Sequence, residues 1–382
     1  MKYSKEVTKV NKGSVMRIFG ICGACIAFYI GAGFATMQEV VQYEASFGSR
    51  FWITIAVAAV IYLYTNWSFA KNGNRLGLER GGDIFSVYCG KRIGKFFDYF
   101  AAFFCYMCFI VKCSSANSTA AEQWGLPNGV GAAVLVGAVV ATAVFGLDGI
   151  LNALGKLGPI IIGAIIFVSV YTLIKYAGNY QEGLALIDSG KIKMEQVGDG
   201  NPLAAGASYG GLVIIWFAAF LAEIGAKNKL KEVNTGMVIS AVAVFGASVI
   251  CCMALISNVT EIWNMDVPAL ALAGHIHPAV ALMFALIIFC GLYTTALPLL
   301  WIGVSKVARE GTSRYKKLTV IGGVIGFAAS FFPYKALLNV LYGVNGYLGF
   351  VLIAFMIVYD IRQSRAAGLV SDRIGRKEVQ VR

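Results

Sequence analysis

The stretch Ile30-Gly31-Ala32-Gly33-Phe34 lies in the middle of the first long apolar run of the chain, and Gln38 and Glu39 follow it closely. Each glycine costs roughly 1 kcal/mol of helix propensity. In lipid, every backbone group that leaves a helix must find another partner. A helix break at this stretch therefore predicts that something binds there. The alternative is that the two glycines only let a neighbouring helix approach closely.

The composition is that of a polytopic membrane protein. Of the 382 residues, 58% are hydrophobic and 14% are charged, and the polar segments are too short to bury a core of their own. The nine cysteines show neither metal-ligand nor disulfide spacing. A separate soluble domain is therefore excluded, and the formal net charge of +12 has to be explained by where the positive residues lie.

Ten apolar runs have the length of about 20 residues that is needed to cross a bilayer. They lie near 17–43, 51–70, 97–121, 128–147, 157–177, 203–226, 235–257, 278–304, 317–333 and 336–360. With these spans, 26 of the 32 Lys and Arg residues fall on one side of the membrane. The positive-inside rule then predicts that both termini are cytoplasmic. The net charge reflects topology, and no nucleic-acid partner is predicted.

The ten spans divide into two halves of five that enter the membrane from opposite sides. The predicted segments are a cytoplasmic N-terminal segment (1–16), a first repeat (17–178), an extracellular loop (179–202), a second repeat (203–360) and a basic cytoplasmic tail (361–382). The sixth span carries Ser208-Tyr209-Gly210-Gly211, at a depth similar to that of the first glycine pair. Matching interruptions in corresponding spans are typical of secondary transporters with an inverted repeat. The alternative is coincidence in a chain with 44 glycines.

Ionisable side chains inside spans are candidates for function, because each costs a few kcal/mol unless it faces a partner or a wet cavity. Glu39 and Lys112 are such residues, and Lys112 begins a small, polar stretch that ends at Ser118. We predict that Lys112 pairs with Glu39 or with a substrate carboxylate. The alternative is that Lys112 extends to the outer surface. Glu223 has Lys227 at i+4 and is predicted to form an ordinary pair at the helix end.

The sequence pattern of two further polar segments indicates their location but no function. Residues 83–95 place aromatic side chains next to positive ones, which favours an amphipathic helix at the membrane interface. Residues 258–277 contain the only two histidines of the chain, His275 and His277. Because neither histidine lies in a span, a loop position is favoured over a zinc site or a proton relay.

The eighth span places two hydroxyls, Thr294 and Thr295, beside Gly291 in an apolar helix. A hard cation such as sodium requires several oxygen ligands, which hydroxyls and the free carbonyls of a broken helix can supply. The alternative is that both threonines donate back to carbonyls one turn earlier in their own helix.

Four motifs resemble those of the YkvI-type bacterial membrane proteins, a group of the amino acid–polyamine–organocation superfamily. The motifs are Gly31-Ala32-Gly33-Phe34-Ala35-Thr36 with Gln38-Glu39, Glu122-Gln123-Trp124-Gly125-Leu126-Pro127, Phe145-Gly146-Leu147 before Gly149, and Tyr293-Thr294-Thr295-Ala296. The resemblance covers about residues 15–360. It implies the LeuT-type fold, an all-α protein of ten transmembrane helices in a 5+5 inverted repeat with helices 1 and 6 broken. It also implies the bacterial cytoplasmic membrane as location.

The resemblance further implies a sodium site between the first and eighth spans. Its ligands would be the carbonyls of Ala27, Ile30 and Gly291 and the hydroxyls of Thr294 and Thr295. A second sodium site of the neurotransmitter-type members is not expected, because Phe34 stands where that site needs an asparagine. Proton-coupled relatives often have a lysine inside the fifth span, whereas Lys156 and Lys175 lie at its ends here. Sodium coupling is therefore favoured.

The predicted function is secondary active transport of a small organic solute, an amino acid or related amine, by alternating access. We expect the substrate carboxylate at the free N–H groups of the first break, because helix N-termini attract anions, and the amino group at carbonyls of the sixth span. Tyr209, Trp216 and Phe217 are candidates for an aromatic lid. The predicted substrate-binding residues are Gly31, Ala32, Gly33, Phe34, Glu39, Lys112, Tyr209, Gly210, Gly211 and Trp216.

Two alternatives remain at this point. One is a proton-coupled transporter of the same fold, and the other is a channel or a sensor that does not transport. An enzyme is not predicted, because no His, Asp or Cys cluster lies at catalytic spacing. No cofactor is predicted besides sodium as the coupling ion, and the expected partners are the lipid bilayer and a small-molecule substrate.

Overall fold

The structure is a computed structural model that describes residues 12–29, 32–145 and 157–380. Within these ranges it contains helices and no strand. The helices are α1 (Lys12–Tyr29), α2 (Ala32–Ala35), α3 (Gln38–Tyr43), α4 (Phe51–Leu76), α5 (Ile84–Trp124), α6 (Val130–Phe145), α7 (Leu157–Lys175), α8 (Tyr180–Asp188), α9 (Pro202–Lys227), α10 (Leu230–Ser257), α11 (Val259–Ile262), α12 (Pro268–Gly274), α13 (Pro278–Ser305), α14 (Ser313–Ala329) and α15 (Tyr334–Gln380).

The predicted spans correspond in order to α1–α3, α4, α5, α6, α7, α9, α10, α13, α14 and α15. Of the described helices, α4, α5, α10, α13 and α15 are each long and apolar enough to cross a membrane. Two further candidates are bent: α7 with α8, at 75°, and α9, at 53°. The chain is thus a multi-pass membrane protein, and the predicted all-α fold is confirmed.

The helices pack in two groups. In the first group α4, α9 and α10 contact one another and α1 packs on α10, and in the second group α5, α6, α13 and α14 contact one another. These are spans one, two, six and seven in one group and spans three, four, eight and nine in the other. Each group therefore takes the same two positions from each half of the chain, as an inverted repeat requires.

Small residues bring α4 and α9 into close contact along their length. A Cβ atom added to Gly206 would lie 2.5 Å from the carbonyl oxygen of Thr54, and one added to Gly225 would lie 2.3 Å from that of Ala70. Without side chains at these positions the two backbones touch, which is how helices commonly associate in membranes.

The first span is interrupted between α2 and α3. Met37 has a left-handed backbone (φ 63°), which costs of order 1–3 kcal/mol and persists only where the surroundings hold it. The hydroxyl of Thr36 lies 3.0 Å from that of Tyr334, and the carbonyl of Thr36 accepts from the N–H of Ala269 at 3.2 Å. Of the predicted break, residues 30 and 31 lie outside the described residues, and Gly33 is helical. The interruption that the structure describes therefore lies one turn further along.

The sixth span is bent between Pro202–Ile215 and Phe217–Lys227, so the predicted position near Gly210 is wrong. The helix is continuous through Gly210 and Gly211. A Cβ atom on Gly210 would lie 2.7 Å from Cγ2 of Ile61, and one on Gly211 would lie 2.4 Å from the carbonyl oxygen of Gly346. These glycines thus let α4 and α15 approach α9. They do not break it.

The segment predicted as an interfacial amphipathic helix is the start of α5, which kinks at Gly90 (φ 73°). Phe85 and Tyr88 are buried inside the protein. The hydroxyl of Tyr88 lies 2.8 Å from that of Ser68 and accepts from the side chain of Asn72 at 3.0 Å. Phe85 and Tyr88 thus pack inside the protein, whereas Phe96 just beyond the segment is exposed, so contact of this segment with the membrane interface stays a prediction.

Predictions for the remaining polar residues are confirmed. Glu223 and Lys227 form an ion pair at 2.5 Å at the end of α9. Both histidines lie in the segment between α10 and α13. The ring of His277 accepts from the N–H of Ala279 at 3.1 Å and caps α13, and the ring of His275 lies 2.6 Å from Glu261.

Candidate functional site

Two buried side chains of opposite charge, Glu39 on α3 and Lys112 on α5, lie at the centre of the protein. They are 3% and 1% exposed. The Lys112 ammonium donates to the hydroxyl of Tyr342 on α15 at 3.2 Å. The Glu39 carboxyl group interacts with the same hydroxyl, with that of Tyr209 and with the charge of Lys112. Lys112 thus lies inside the protein and does not reach the outer surface.

Glu39 and Lys112 are not among the direct ion pairs of the described residues. The hydroxyl of Tyr342 lies between the two charges. A buried charge is stable only when it is paired and hydrogen-bonded. Here the pairing is indirect, and Oε1 of Glu39 makes no hydrogen bond of ordinary geometry among the described residues. The arrangement therefore keeps unused acceptor capacity at its centre.

The Glu39 carboxyl group lies directly against the backbone of α2. A Cβ atom added to Gly33 would be 1.9 Å from Oε1 of Glu39. The sequence analysis placed a substrate carboxylate beside Gly31, Ala32 and Gly33. Beside Gly33 the protein's own carboxyl group occupies this space, whereas Gly31 lies outside the described residues, so the position of a substrate carboxylate stays a prediction. Phe34, also predicted at the site, is fully buried on α2.

An aromatic cluster lies next to this pair of charges. Its rings are those of Tyr29, Tyr43, Tyr62, Tyr209, Phe217 and Phe245, all buried. Tyr43 stacks on Tyr209 with 4.6 Å between ring centroids, and Tyr29 meets Tyr209 edge to face at 5.8 Å. The hydroxyls of Tyr29 and Tyr43 are buried without a hydrogen-bond partner among the described residues.

The predicted lid residues take a different place in the structure. Tyr209 and Phe217 belong to the core of the aromatic cluster, so neither forms an outer cover. The side chain of Trp216 lies outside the described part of the chain. Tyr209, Gly210 and Gly211 lie in the helical part of α9 before its bend, and the predicted amine contact at their carbonyls stays a prediction.

Three further residues of the site, Glu44, Tyr342 and Tyr29, are not predicted from the sequence. Glu44 is fully buried, and neither carboxyl oxygen has a hydrogen-bond partner among the described residues. It follows Tyr43, where the first apolar run ends, so a longer window would have included it. Tyr342 and Tyr29 had no such signal, because a tyrosine in an apolar helix is most often part of the packing.

The residues predicted to bind sodium are partly described. Thr294 and Thr295 both donate to the carbonyl of Gly291, at 2.9 and 2.8 Å, which is the back-bonded alternative. A hydroxyl that donates in this way still has lone pairs for a cation, so the predicted ligand role stays open. The backbone of Ala27 lies in α1, and Ile30 lies outside the described residues. Over the described ranges, no group of three or more His, Cys, Asp or Glu side chains forms a metal site.

Two loops cover one end of the site. The N–H of Val197, in the segment after α8, donates to the carbonyl of Gln42 at 3.1 Å. In the segment before α12, the carboxyl group of Glu122 accepts from the N–H groups of Asp266 and Val267, at 2.6 and 3.0 Å. Lys335 lies 3.6 Å from the carboxyl group of Asp266. The structure is therefore closed at the end that the sequence analysis predicts to be extracellular.

Comparison with known proteins shows the fold. The chain is similar to MhsT in complex with L-phenylalanine, with a TM-score of 0.61, 16% identity, and coverage of 89% of this chain and 88% of MhsT. It is also similar to a single-residue variant of the manganese transporter of Eremococcus coleocola, with a TM-score of 0.60, 13% identity, and coverage of 92% and 80%. No protein-family model and no curated protein matches the sequence.

Both solved neighbours are transporters, and neither is an enzyme. At these identities the likeness defines architecture alone. The chain thus has the LeuT-type fold that the sequence predicted, with its first span interrupted, its sixth span bent and a buried polar centre between the two groups of helices.

Proposed function

We propose that this protein is a secondary active transporter of a small zwitterionic solute, an amino acid or a related amine, and that it works by alternating access. The proposal includes membership of the amino acid–polyamine–organocation superfamily, close to the YkvI-type proteins. One observation carries it beyond the fold. Glu39 and Lys112 are buried charges of opposite sign that are separated by the hydroxyl of Tyr342.

A zwitterion matches this pair of charges. Its ammonium group would pair with Glu39 and its carboxylate with Lys112, which makes two charge-assisted hydrogen-bonded contacts of about 1.5–3 kcal/mol each. A solute with a single charge would satisfy one residue and leave the other unpaired. Since an uncompensated buried charge costs about 3–5 kcal/mol, the pair selects against such solutes.

The aromatic cluster suits the solute's side chain. Tyr29, Tyr43 and Tyr209 lie close to Glu39, and Phe217 packs on Tyr29. Aromatic rings prefer stacked or edge-to-face contacts with another ring. An apolar or aromatic side chain is therefore favoured over a charged one. The neighbour MhsT was solved with L-phenylalanine, which supports the same class of solute.

The position of the proposed site between the two groups of helices supports alternating access. Glu39 lies in the first span and Tyr209 on α9, and both elements belong to the group of spans one, two, six and seven. Lys112 lies on α5, in the other group. A solute bound to both would connect the two groups. The interruption at Met37 and the bend in α9 supply positions at which segments can reorient. Binding is thus coupled to movement of one group against the other.

Sodium is proposed as the coupling ion, with ligands from Ala27, Ile30, Gly291, Thr294 and Thr295. The last three lie on α13, in the second group of helices, whereas Ala27 lies on α1, in the first. An ion held between them would also connect the two groups. We place the protein in the bacterial cytoplasmic membrane with both termini in the cytoplasm, as the distribution of Lys and Arg residues supports.

A ligand series of matched shape tests the proposed function. Purified protein is heated with phenylalanine, with phenethylamine, which lacks the carboxylate, or with 3-phenylpropanoate, which lacks the amine. The expected result is a higher unfolding temperature with the zwitterion alone, because a ligand at a hundredfold its Kd stabilises by about 2.7 kcal/mol. The series is repeated with other amino acids to cover different side chains.

Variants complete this experiment. Glu39→Gln and Lys112→Met should each remove the stabilisation, whereas Glu223→Gln, which changes the exposed pair at the end of α9, should keep it. Equal stabilisation by the zwitterion and by either analogue with a single charge would contradict the proposed site.

A further inference from the structure

Glu44 is a second buried carboxyl group close to the proposed solute site. It caps the C-terminal end of α3, and its side chain is fully buried. Neither Oε1 nor Oε2 has a hydrogen-bond partner among the described residues. The proposed function uses Glu39 and Lys112 and leaves Glu44 without a role.

The surroundings of Glu44 contain no counter-charge. Its carboxyl group faces the hydroxyl of Ser248 on α10 and the carboxyl group of Glu39. The other titratable groups that interact with it are Tyr29 on α1, Tyr209 on α9, and Cys251 and Cys252 on α10. Over the described residues, no Lys or Arg side chain pairs with it, and the nearby Lys112 interacts with Glu39.

Burial without a counter-charge determines the state of this group. Moving an ionised carboxylate out of water without a partner is so costly that the group takes up a proton instead. Ionised Glu39 nearby adds repulsion. In this closed conformation, Glu44 is therefore a neutral carboxylic acid, and ionisation requires that water or a cation reach it.

A surface cavity comes close to Glu44. The cavity has a volume of about 310 Å³, and its lining includes Phe47, Arg50 and Asp188. The N–H of Phe47 donates to the carbonyl oxygen of Glu44 at 3.0 Å. Glu44 does not line this cavity, but Ser46, two residues further along the chain, does, so Glu44 is one turn of chain away from a water-accessible space at the closed end.

We propose that Glu44 is a proton-binding site that couples solute transport to the proton gradient. The inference rests on the proposed function. A proton from water at the closed end binds one carboxyl oxygen of Glu44, and neutral Glu44 allows this end to close over the solute. When the protein opens to the other side, water reaches Glu44 and the proton leaves to that side with the solute.

The chemistry around Glu44 favours a proton over a metal ion. Sodium requires several oxygen ligands arranged around it, whereas the groups beside Glu44 mix the hydroxyls of Ser248, Tyr29 and Tyr209 with the thiols of Cys251 and Cys252. A proton needs a single lone pair. The site is also separate from Thr294 and Thr295 on α13, so proton and sodium dependence can be tested independently.

Infrared spectroscopy tests the protonation of Glu44 without any solute. Wild-type protein in bilayers at neutral pH should show the C=O stretching band of a protonated carboxylic acid, and Glu44→Gln should lose intensity in it. Glu223→Gln is the matched control, because Glu223 is exposed and paired with Lys227 at the end of α9, and the band should stay unchanged. A band that is the same in wild type and Glu44→Gln overturns the proposal.

Uptake into proteoliposomes tests the coupling. One unit of pH difference supplies about 1.4 kcal/mol per proton, so one-proton coupling supports up to about tenfold accumulation of solute. Wild type and Glu44→Asp, which keeps a carboxyl group, should accumulate solute under this gradient. Glu44→Gln should lose the accumulation. Elution of each variant as a monodisperse peak shows that it is folded.

The outcomes separate this inference from the proposed function. If wild type exchanges labelled solute across the membrane but the pH gradient gives no accumulation, the proton site is wrong and the transporter stands. If wild type exchanges no amino acid at all, the proposed function fails, and the infrared band alone decides whether Glu44 holds a proton. Accumulation by Glu44→Gln that equals wild type contradicts the coupling.

Discussion

Lys112→Met leaves the carboxylate of Glu39 without its countercharge inside the protein. The distance between the two charges follows from the bridge through Tyr342. The first hydrogen bond is 3.2 Å long, and a second one of about 2.7 Å sets an upper limit of about 6 Å for the separation. At an effective dielectric constant of about 20, two unit charges at this distance attract each other by about 3 kcal/mol.

We therefore expect Lys112→Met to lower the free energy of unfolding by about 3 kcal/mol at neutral pH. The double variant Lys112→Met with Glu39→Gln should recover most of this loss, because it removes both buried charges. The measurement is a double-mutant cycle on unfolding of the purified protein in detergent. Solute binding should be lost in Lys112→Met, in Glu39→Gln and in the double variant.

The exposed pair of Glu223 and Lys227 is the control for this cycle. The two side chains are 45% and 66% exposed, so solvent screens their interaction to about 0–1 kcal/mol. A cycle with Glu223→Gln and Lys227→Met should give a value in this range. If the cycle for Lys112 and Glu39 gave the same small value, or if Lys112→Met left both stability and binding unchanged, the buried pair would not be the centre of the site.

Two further predictions concern the first and eighth spans. Gly33→Ala should abolish solute binding and keep the fold, because the new Cβ atom would displace the flexible end of Glu39, 1.9 Å away; Gly23→Ala has no atom within 4 Å and should bind as wild type does. The double variant Thr294→Val with Thr295→Val should lose most of the sodium dependence of binding or uptake, while its unfolding temperature should change little. Binding curves with and without sodium check this, and an unchanged sodium response would contradict the ligand role.

How much of the site could be predicted depends on the kind of signal each residue carries. Glu39 and Lys112 stand out in a sequence because charge is rare and costly in apolar spans. Glu44 has the same chemistry but lies just past the apolar run, so a hydropathy window does not mark it. Tyr342 carries no local signal, since its position between two charges depends on a residue 230 positions away.

The membrane class, the succession of apolar spans and the two buried ionisable residues Glu39 and Lys112 can be predicted from the sequence alone. These follow from hydrophobic length, from Lys and Arg asymmetry and from the cost of charge in lipid, all of which are local properties. The role of each glycine, in contrast, depends on its neighbours in the folded protein. Gly33 adjoins Glu39, whereas Gly211 adjoins Gly346 on α15. In the sequence, a pair of glycines looks the same in both cases. The two glycines differ because the element that packs against each one decides which atoms fill the space left by the missing side chain. That element can lie far away in the chain.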